Sequence, residues 1–357
     1  MAQVNNRYIE FYSSEIEKVL AHIPNIDKLR NSSILISGST GMLCSAVVDV
    51  LFYLNVSRDY NIKLYLAGRS KERIDSRYIM WSYEYSFVEY DANRYVNLEI
   101  DYPLDYIIHG ASNASPAAYV NEPVETMLAN SIGTKVLLDL AKRKQAKLLY
   151  VSSSEIYGKK DNSDSYKEND YRFIDILNPR SCYPTSKRFA ETLCSSYCAE
   201  YDIDTVIVRP GHIYGHTIID KDDRASAQFT RSAVRGENIV MKSLGAQLRS
   251  YCFVLDCASA TLCVLINGEC GRAYNISNPN SLVTIRQMAE AIARAGNVQI
   301  IIDAPSSQEV KGYNLMDNSA LDSTELERLG WCGEYTMKQG AEVTIKLIKL
   351  MNGVCNE

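Results

Sequence analysis

Short apolar runs alternate with longer amphipathic segments along most of the chain. The first unit, SILISGSTGMLCSAVVDVLFYL, has the pattern of a strand, a glycine-rich turn and a helix. Further strands are predicted at KLYLAG, SFVEYD, DYIIHGAS, KLLYVSSS and DTVIVRP, and helices at NSIGTKVLLDLAKRKQ and TSKRFAETLCSSYCAEY. Continuous apolar strands that alternate with helices are typical of a parallel sheet covered on both faces. The pattern therefore predicts an α/β fold with a doubly wound parallel sheet.

Three segments are expected along the chain. Residues 1–32 precede the first strand and are predicted to form a helical extension, because Ile9, Ile16 and Val19 recur near helical spacing. Residues 33–210 hold the strand and helix repeats and are predicted to form one domain. Residues 211–357 change to polar loops, short helices and isolated strands. We expect this last segment to form mainly a smaller C-terminal lobe that closes over the crevice at the strand ends.

Composition and charge narrow the classes of partner. The chain has 357 residues, of which 46% are hydrophobic and 23% charged, the ordinary mix of a globular protein of about two domains. The net charge of -5 argues against a protein that grips phosphodiester backbones. No apolar run approaches the roughly 18 residues of a membrane span, and the N-terminus lacks the apolar region of a signal peptide. We expect a cytoplasmic protein whose partners include no nucleic acid and no membrane.

The 10 cysteines and four histidines form no recognisable metal motif. No C-x-x-C pair is present, and most cysteines lie inside apolar runs, which is typical of buried free thiols in a reducing compartment. His22 is expected on the surface of the first helix and His109 packed within a strand. The sequence therefore predicts no metal site and no disulfide.

The first turn has the composition of a phosphate-binding loop. Gly38 and Gly41 lie between the first strand and the first long helix, where glycines let a backbone approach a pyrophosphate and helix N–H groups face the anion. Two such glycines occur in ordinary tight turns as well, but this position favours dinucleotide binding. Cys44 stands where a third glycine would allow close packing of helix on strand. The contacts predicted for the dinucleotide from this turn are Gly38, Thr40, Gly41, Met42 and Leu43.

The ends of the next three strands offer further cofactor contacts. The second strand ends in Ala-Gly-Arg69-Ser-Lys71, without the carboxylate that commonly binds the ribose of NAD. A basic cluster there suits the 2′-phosphate of NADP, although the same two charges also suit a solvated helix start. Asp91, after the third strand, is a candidate for the adenine amine or for water. Ala111, after the fourth strand, is a further candidate contact.

A tyrosine and a lysine provide candidate acid–base chemistry. Tyr183 and Lys187 are four positions apart, which places them on one face of a helix. The spacing alone is weak evidence because the chain contains 25 tyrosines. Ser153, at the end of the fifth strand, strengthens it by supplying a hydroxyl for the same substrate oxygen. Beside a bound nicotinamide, we expect the charge of Lys187 to lower the pKa of Tyr183 from about 10, so that the phenol acts as a base.

Together these motifs resemble the extended short-chain dehydrogenase/reductases, the NAD-dependent epimerase/dehydratase family. The matching stretches are SGSTGMLCS, DYIIHGAS, ANSIGTKVLLDLA, YVSSSEIYG, NPRSCYPTSKRFAET, RPGHIYG, LRSYCFVLDCASA and AYNISNP, in the family's order. The resemblance implies a Rossmann-like fold, with residues 33–210 binding NAD(P) and residues 211–357 binding mainly a nucleotide-diphosphate sugar. It also implies a homodimer and a role in polysaccharide biosynthesis.

In that family the 4-hydroxyl of the sugar is oxidised to a 4-keto intermediate. Carried onto this sequence, the resemblance makes Tyr183 the base, Lys187 its activator and a ribose ligand, and Ser153 the partner of the sugar's O4. Glu155 suits chemistry at C5, and Ser154 lies beside it. The Ser-Glu pair of Ser154 and Glu155 occurs in UDP-glucuronate decarboxylases and in GDP-mannose 4,6-dehydratases. Epimerases that act only at C4 usually carry a small or neutral residue in place of Glu155.

Two arginine segments favour the decarboxylases. The stretches around Arg180 and Arg249 are similar to theirs, and Arg249 is a candidate for the C6 carboxylate or for the diphosphate. His212 stands where many relatives have an asparagine that contacts the substrate phosphates. Gln228 is a candidate contact for the nucleotide, or a solvated residue on a helix face. The sequence thus favours a UDP-glucuronate decarboxylase-like enzyme. A 4,6-dehydratase, a 4-epimerase and a non-catalytic dinucleotide sensor or scaffold remain alternatives.

Overall fold

A computed structural model describes residues 6–81, 83–160, 164–219, 222–303 and 318–353. The helices within these ranges are α1 (Asn6–Leu20), α2 (Met42–Arg58), α3 (Lys71–Tyr78), α4 (Pro116–Asn121), α5 (Pro123–Lys144), α6 (Cys182–Tyr201), α7 (Ala225–Val234), α8 (Val254–Asn267), α9 (Ile285–Gly296), α10 (Thr324–Arg328) and α11 (Met337–Met351). The strands are β1 (Ser33–Ser37), β2 (Lys63–Gly68), β3 (Ser86–Glu89), β4 (Tyr106–His109), β5 (Lys147–Val151), β6 (Thr205–Pro210), β7 (His212–Tyr214), β8 (Ile239–Met241), β9 (Leu248–Phe253), β10 (Ala273–Ile276), β11 (Leu282–Thr284), β12 (Ile300–Ile302) and β13 (Asn318–Ser319).

The central sheet has seven strands in the order β10-β6-β5-β4-β1-β2-β3. Every neighbouring pair in it is parallel. The six strands predicted from the apolar runs are all present, so the doubly wound parallel sheet is confirmed. The chain order reverses between β1 and β4, and a crevice opens at the carboxyl ends of the strands at such a point.

The C-terminal segment contributes to the central sheet as well as to a smaller lobe. Strand β10 pairs with β6 at the sheet edge, which the loosened pattern after Gly211 did not predict. Helix α8 is buried along almost its whole length and packs against α2, β5 and β6, because most of its residues are apolar. In the lobe, β9 pairs with β7, β11 and β13, and β8 pairs with β12. The division at residue 210 stays a prediction.

The N-terminal extension is helical, as predicted, and a buried carboxylate attaches it to the sheet layer. Asp49 of α2 is fully buried and accepts hydrogen bonds from Tyr12 Oη of α1 at 2.9 Å and from Trp81 Nε1 at 2.7 Å. It also forms an ion pair with Arg77 of α3 at 2.6 Å. The Tyr12 ring also meets the His216 ring of the lobe edge to face, with ring centroids 4.5 Å apart. Asp49 therefore joins three helical elements around one charge.

We expect Asp49→Asn to lower the free energy of unfolding by about 2 to 3 kcal/mol. The change leaves the Arg77 guanidinium without its counter-charge, and removal of one member of a buried pair is costly. Urea unfolding measures the effect, with Glu290→Gln as the control because Glu290 forms an exposed pair with Arg286 on α9. Equal stability of the two variants would contradict the role given to Asp49.

The described cysteines are all free thiols, most of them buried, and Cys355 lies outside the described residues. Among the helices that the structure describes, none is long and apolar enough to cross a membrane. No group of three histidine, cysteine, aspartate or glutamate side chains in the described ranges is placed to hold a metal ion.

Candidate functional site

The glycine-rich turn after β1 leaves backbone open to a ligand. Gly38 has φ 70°, and its carbonyl accepts a hydrogen bond from Gly41 N–H at 2.8 Å. A Cβ atom on Gly38 would lie 2.7 Å from the backbone nitrogen of Ala111, so no larger residue fits without movement. Gly41 caps α2, whose first N–H groups have no partner within the helix. A pyrophosphate fits such a turn because these donors face an anion.

The remaining turn residues predicted to bind the dinucleotide lie beside this opening. Thr40 is half-buried in the turn and Leu43 is buried in the first turn of α2. Ala111, half-buried after β4, donates its N–H to Ser37 Oγ at 3.3 Å. The hydroxyl of Ser39 is buried and has no hydrogen-bond partner within the described part of the chain. The cluster at the β1–β4 reversal therefore matches a dinucleotide site in position and in donors.

Cys44 occupies the place of the third glycine without disturbing the packing. A Cβ atom on Gly110 would collide with Cys44 Sγ, so the missing side chain at Gly110 provides the space for the thiol. Nearby, His109 bridges Ser37 Oγ at 2.7 Å and Thr134 Oγ1 at 3.2 Å. Burial lowers the pKa of His109 to about 3, so this histidine is a neutral packing residue, as predicted.

We expect Gly38→Ala to weaken NAD binding at least tenfold, or about 1.4 kcal/mol. The new methyl group is forced against the Ala111 backbone, so the turn must move. Gly236→Ala is the matched control, because Gly236 has φ 72° with no atom within 4 Å of the added Cβ. Both variants place alanine at a similar positive φ and so carry similar backbone strain. Calorimetric titration of each variant with NAD therefore shows whether the loss of affinity comes from the position of Gly38 or from the strain alone. Equal loss of affinity in the two would contradict the assignment of the turn.

The strand ends expected to hold the adenosine are more exposed. Arg69 is exposed after β2, whereas Lys71 forms an ion pair with Asp75 at 2.9 Å on α3. Asp91 accepts the N–H of Asn93 at 3.0 Å and faces Arg94 at 3.6 Å. The charge of Lys71 is thus shared with a carboxylate, which makes it a weaker partner for a 2′-phosphate than the sequence suggested.

The tyrosine, lysine and serine meet where β5 ends and α6 begins. Tyr183 and Lys187 both lie in the first turns of α6 and are buried. Lys187 Nζ donates to the carbonyl of Val151 at 2.7 Å and lies 5.6 Å from the centre of the Tyr183 ring. Ser153 caps the short turn after β5, and its Oγ accepts the N–H of Glu155 at 3.2 Å. The structure therefore brings Ser153 within hydrogen-bond reach of Tyr183, although the two are distant in the sequence.

The electrostatics of this pair show which protonation states the protein groups alone favour. Burial and the charge of Glu155 raise the pKa of Tyr183 to about 12, although hydrogen bonds with Ser153 and Tyr119 oppose the shift. Burial also lowers the pKa of Lys187 to about 7. Burial thus disfavours the charged form of both residues. The lowering of the Tyr183 pKa by Lys187 beside a bound nicotinamide stays a prediction.

A charged pair and an additional tyrosine border Tyr183. Arg180 contacts both carboxylate oxygens of Glu155, at 3.1 and 3.4 Å, and also lies over the Tyr119 ring at 4.5 Å. The rings of Tyr119 and Tyr183 stack with their centres 4.5 Å apart. Ser154 is buried in the turn between Ser153 and Glu155. The site therefore combines a phenol, a hydroxyl and a carboxylate held by an arginine.

The lobe supplies positive charge from the opposite side. His212 of β7 lies beside Tyr251 of β9, with ring centres 5.6 Å apart. Burial, Arg249 and Arg224 lower the pKa of His212 to about 3. The guanidinium of Arg249 is buried and donates to the Leu248 carbonyl at 2.9 Å. Buried Arg249, half-buried Arg224 and a neutral imidazole therefore lie close together in this part of the lobe.

Arg224 joins the nucleotide turn to the catalytic cluster, and the sequence did not predict it. It forms an ion pair with Asp222 at 2.6 Å and contacts the Met42 sulfur at 3.2 Å. Its charge also lowers the pKa of Tyr183. Gln228, by contrast, is exposed on α7 and donates to the Asp223 carbonyl at 2.6 Å, so it stands apart from the cluster.

A dinucleotide turn, a Tyr–Lys pair and a strand-end serine on a doubly wound sheet define a nicotinamide-dependent enzyme of the short-chain dehydrogenase/reductase class. The model of the NAD dependent epimerase/dehydratase family matches residues 34–277. The chain belongs to this family; it is an enzyme, and NAD is its cofactor.

Curated relatives and solved structures resemble nearly the whole chain. UDP-glucuronic acid decarboxylase 3 of Arabidopsis thaliana is 30% identical over 92% of this chain and 94% of its own. UDP-glucuronic acid decarboxylase 1 of Xenopus tropicalis is 26% identical over 87% and 71%. The fold is shared with a UDP-glucose 4-epimerase from Thermotoga maritima, at a TM-score of 0.73 and 20% identity over 90% of this chain and 99% of that one. It is also shared with a dTDP-glucose 4,6-dehydratase from Streptomyces venezuelae, at a TM-score of 0.74 and 20% identity over 90% of this chain and 98% of that one.

Proposed function

We propose that this enzyme is a lyase that removes carbon dioxide from a nucleotide-diphosphate uronic acid of the UDP-glucuronate type, through a 4-keto sugar. The observation that carries the proposal is the Glu155–Arg180 pair beside Tyr183, since an arginine there suits a substrate carboxylate. The relatives named as UDP-glucuronic acid decarboxylases, similar over most of the chain, support it. The Gly38 turn and Lys187 would hold NAD, which would supply reversible hydride transfer with the sugar.

Each residue of the cluster has a role in this proposal. Tyr183 takes the proton of the sugar's 4-hydroxyl and Ser153 hydrogen-bonds the same oxygen. Lys187 holds the nicotinamide ribose. A ketone at C4 makes the C6 carboxylate part of a β-keto acid, which loses carbon dioxide as its electrons move to the ketone oxygen. Tyr183 and Ser153 are placed to stabilise the resulting charge on that oxygen.

Arg180 has a donor available for the substrate carboxylate. Its Nε is buried and has no hydrogen-bond partner among the described residues, while both Nη atoms contact Glu155. A planar guanidinium can hold a second carboxylate through its remaining edge. We therefore assign the C6 carboxylate to Arg180 and the diphosphate to the positive group of Arg224 and Arg249, with His212 beside them.

A 4,6-dehydratase is the second candidate, and Glu155 itself favours it. A carboxylate beside the strand-end serine is also suited to remove a proton from C5 of a 4-keto sugar. The two reactions differ in whether the substrate brings a carboxylate of its own. For a dehydratase, Glu155 is the base and Arg180 holds it; for a decarboxylase, Arg180 is shared with the substrate.

A screen of UDP-, dTDP-, GDP- and CDP-sugars with mass detection tests the proposal. We expect loss of carbon dioxide from a nucleotide uronic acid and no reaction with the matching neutral hexose. Loss of water from a neutral hexose would replace the proposal by the dehydratase. A product of unchanged mass with inverted C4 would replace it by the epimerase.

We further propose a cytoplasmic homodimer that supplies sugar donors for polysaccharide biosynthesis. Helices α5 and α6 pack against each other and leave apolar side chains exposed, including Val124, Met127 and Phe189. Such a surface favours contact with a second copy through these two helices. Sedimentation at micromolar concentration tests it, and a monomer throughout would contradict it.

A further inference from the structure

Away from the crevice, three reactive side chains meet where the N-terminal extension touches the loop before α11. Cys332 Sγ lies 3.0 Å from His22 Nδ1, and His22 Nε2 lies 2.9 Å from Glu334 Oε2. A base within hydrogen-bond reach of a nucleophile, itself oriented by a third group, is the arrangement of an activated nucleophile. Because the carboxylate accepts the proton on Nε2, Nδ1 is left to accept the thiol proton.

The geometry does not suit a metal ion. Cys332 and Glu334 contact opposite nitrogens of the same imidazole, so the three side chains do not converge on one point. Within the described residues no metal-binding group of three such side chains is formed. The arrangement therefore favours proton transfer from the thiol to the ring. It also corrects the expectation that His22 is a helix-surface residue, since α1 ends at Leu20.

The loop that carries the thiol and the carboxylate is fixed by buried neighbours. Asp256 accepts the N–H groups of Glu334 at 2.9 Å and of Tyr335 at 3.1 Å. The indole N–H of buried Trp331 donates to Ser259 Oγ at 2.9 Å. The distances within the cluster are thus set by core residues, which is the support that a reactive site requires.

The histidine is held equally well. Leu20 and Ile23, on either side of His22 in the sequence, are both buried. Two residues after His22, the carbonyl of Pro24 accepts a hydrogen bond from Asn267 Nδ2 at 2.9 Å. Its ring therefore approaches the thiol from a separate, anchored segment of the chain. A surface contact between two anchored segments keeps its geometry better than one between mobile side chains.

Cys332 is accessible, but its thiol needs a base. Among the described cysteines only Cys332 and Cys270 are exposed. Burial and the nearby carboxylates of Asp256, Glu334 and Glu327 raise the pKa of Cys332, so the thiol keeps its proton at neutral pH. Cys270 contacts the Ile203 carbonyl at 3.6 Å and the thiol of Cys198 instead of an imidazole, so its loss is followed as the sum of the mixed disulfide and any Cys198–Cys270 disulfide. The chain therefore contains its own control for the effect of the histidine.

We propose that Cys332 is a modification site that forms a mixed disulfide with low-molecular-weight disulfides, with His22 as the base and Glu334 as the residue that orients it. His22 Nδ1 takes the thiol proton while the sulfur attacks one sulfur of the incoming disulfide. The S–S bond breaks, and the departing thiolate takes the proton from the imidazolium. One disulfide is consumed, and one mixed disulfide and one free thiol are formed, so no other oxidant is needed.

The test uses the full chain with excess oxidised glutathione and follows each cysteine by peptide mass spectrometry. We expect Cys332 to be modified at least tenfold faster than Cys270, since a positioned base commonly contributes more than this. His22→Gln should slow Cys332 at least tenfold and leave Cys270 unchanged. Glu334→Gln should slow Cys332 several-fold, because the loss of the carboxylate that orients His22 outweighs the lower pKa that the thiol gains when the Glu334 charge is removed.

Equal rates at the two cysteines in the unmodified sequence would overturn the proposal, as would an unchanged Cys332 rate in His22→Gln. If that variant alters the Cys270 rate and so reports a change of fold, Glu334→Gln decides in its place. A Cys332 rate unchanged in Glu334→Gln would then overturn the proposal. These outcomes do not depend on the reaction carried out in the crevice.

Discussion

Tyr183→Phe lowers turnover by a factor of about 10³ or more while leaving NAD bound. In the proposed reaction the phenol moves the proton of the sugar hydroxyl, and general acid–base catalysis typically contributes about 10²–10⁴ in rate. Phenylalanine keeps the stack on Tyr119, so the packing of α6 is preserved. Product formation under saturating substrate and calorimetric titration with NAD measure the two effects separately.

Tyr119→Phe is the matched control for this prediction. Tyr119 is buried beside Tyr183 and loses only a hydroxyl that lies next to the reacting group. We expect its turnover to stay within about tenfold of the unmodified enzyme. Similar losses in both variants would mean that the phenol of Tyr183 acts through packing and is not the acid–base group.

Glu155→Gln lowers the rate of carbon dioxide release by about 10²-fold and shifts the pH dependence. The Glu155 charge raises the pKa of Tyr183, so its removal lowers that pKa. Activity that needs the phenolate rises with pH through this pKa, and the rise therefore moves to lower pH in the variant. The drop in rate follows because Arg180 loses the partner that holds its guanidinium in place.

The pH dependence of kcat/KM measures the shift in the pKa on which activity depends. Glu125→Gln, an exposed carboxylate in the first turn of α5, serves as the control and should leave both the rate and the profile unchanged. A profile that moves to higher pH in Glu155→Gln would contradict the electrostatic link between Glu155 and Tyr183. An unchanged rate in Glu155→Gln would show that Glu155 takes no part in the reaction.

Most of the fold follows from local patterns in the sequence. The strands β1 to β6 are continuous apolar runs, and the parallel order follows from the helices between them. Strand β10 was missed because AYNI is short and follows a buried helix, so neither length nor alternation marks it. Its place is set by pairing with β6, a contact between distant segments.

The candidate site was predictable where it depends on spacing within one element. Tyr183 and Lys187 share a helix face, and Gly38 precedes α2, so both signals lie within a few residues. Tyr119 and Arg224 gave no such signal, because a tyrosine in α4 and an arginine before α7 reach the site only through tertiary packing. The rise that burial causes in the pKa of Tyr183 gave no such signal either, since burial is a property of the folded chain.

The decarboxylase proposal predicts that the C6 carboxylate leaves as carbon dioxide. UDP-glucuronate labelled with carbon-13 at C6, incubated with the enzyme and NAD and followed by NMR, tests this directly. The account predicts that the label appears as carbon dioxide and bicarbonate while an unlabelled nucleotide pentose accumulates, and that Tyr183→Phe abolishes both signals. Label that remains in the sugar while the nucleotide sugar is dehydrated or epimerised would contradict it.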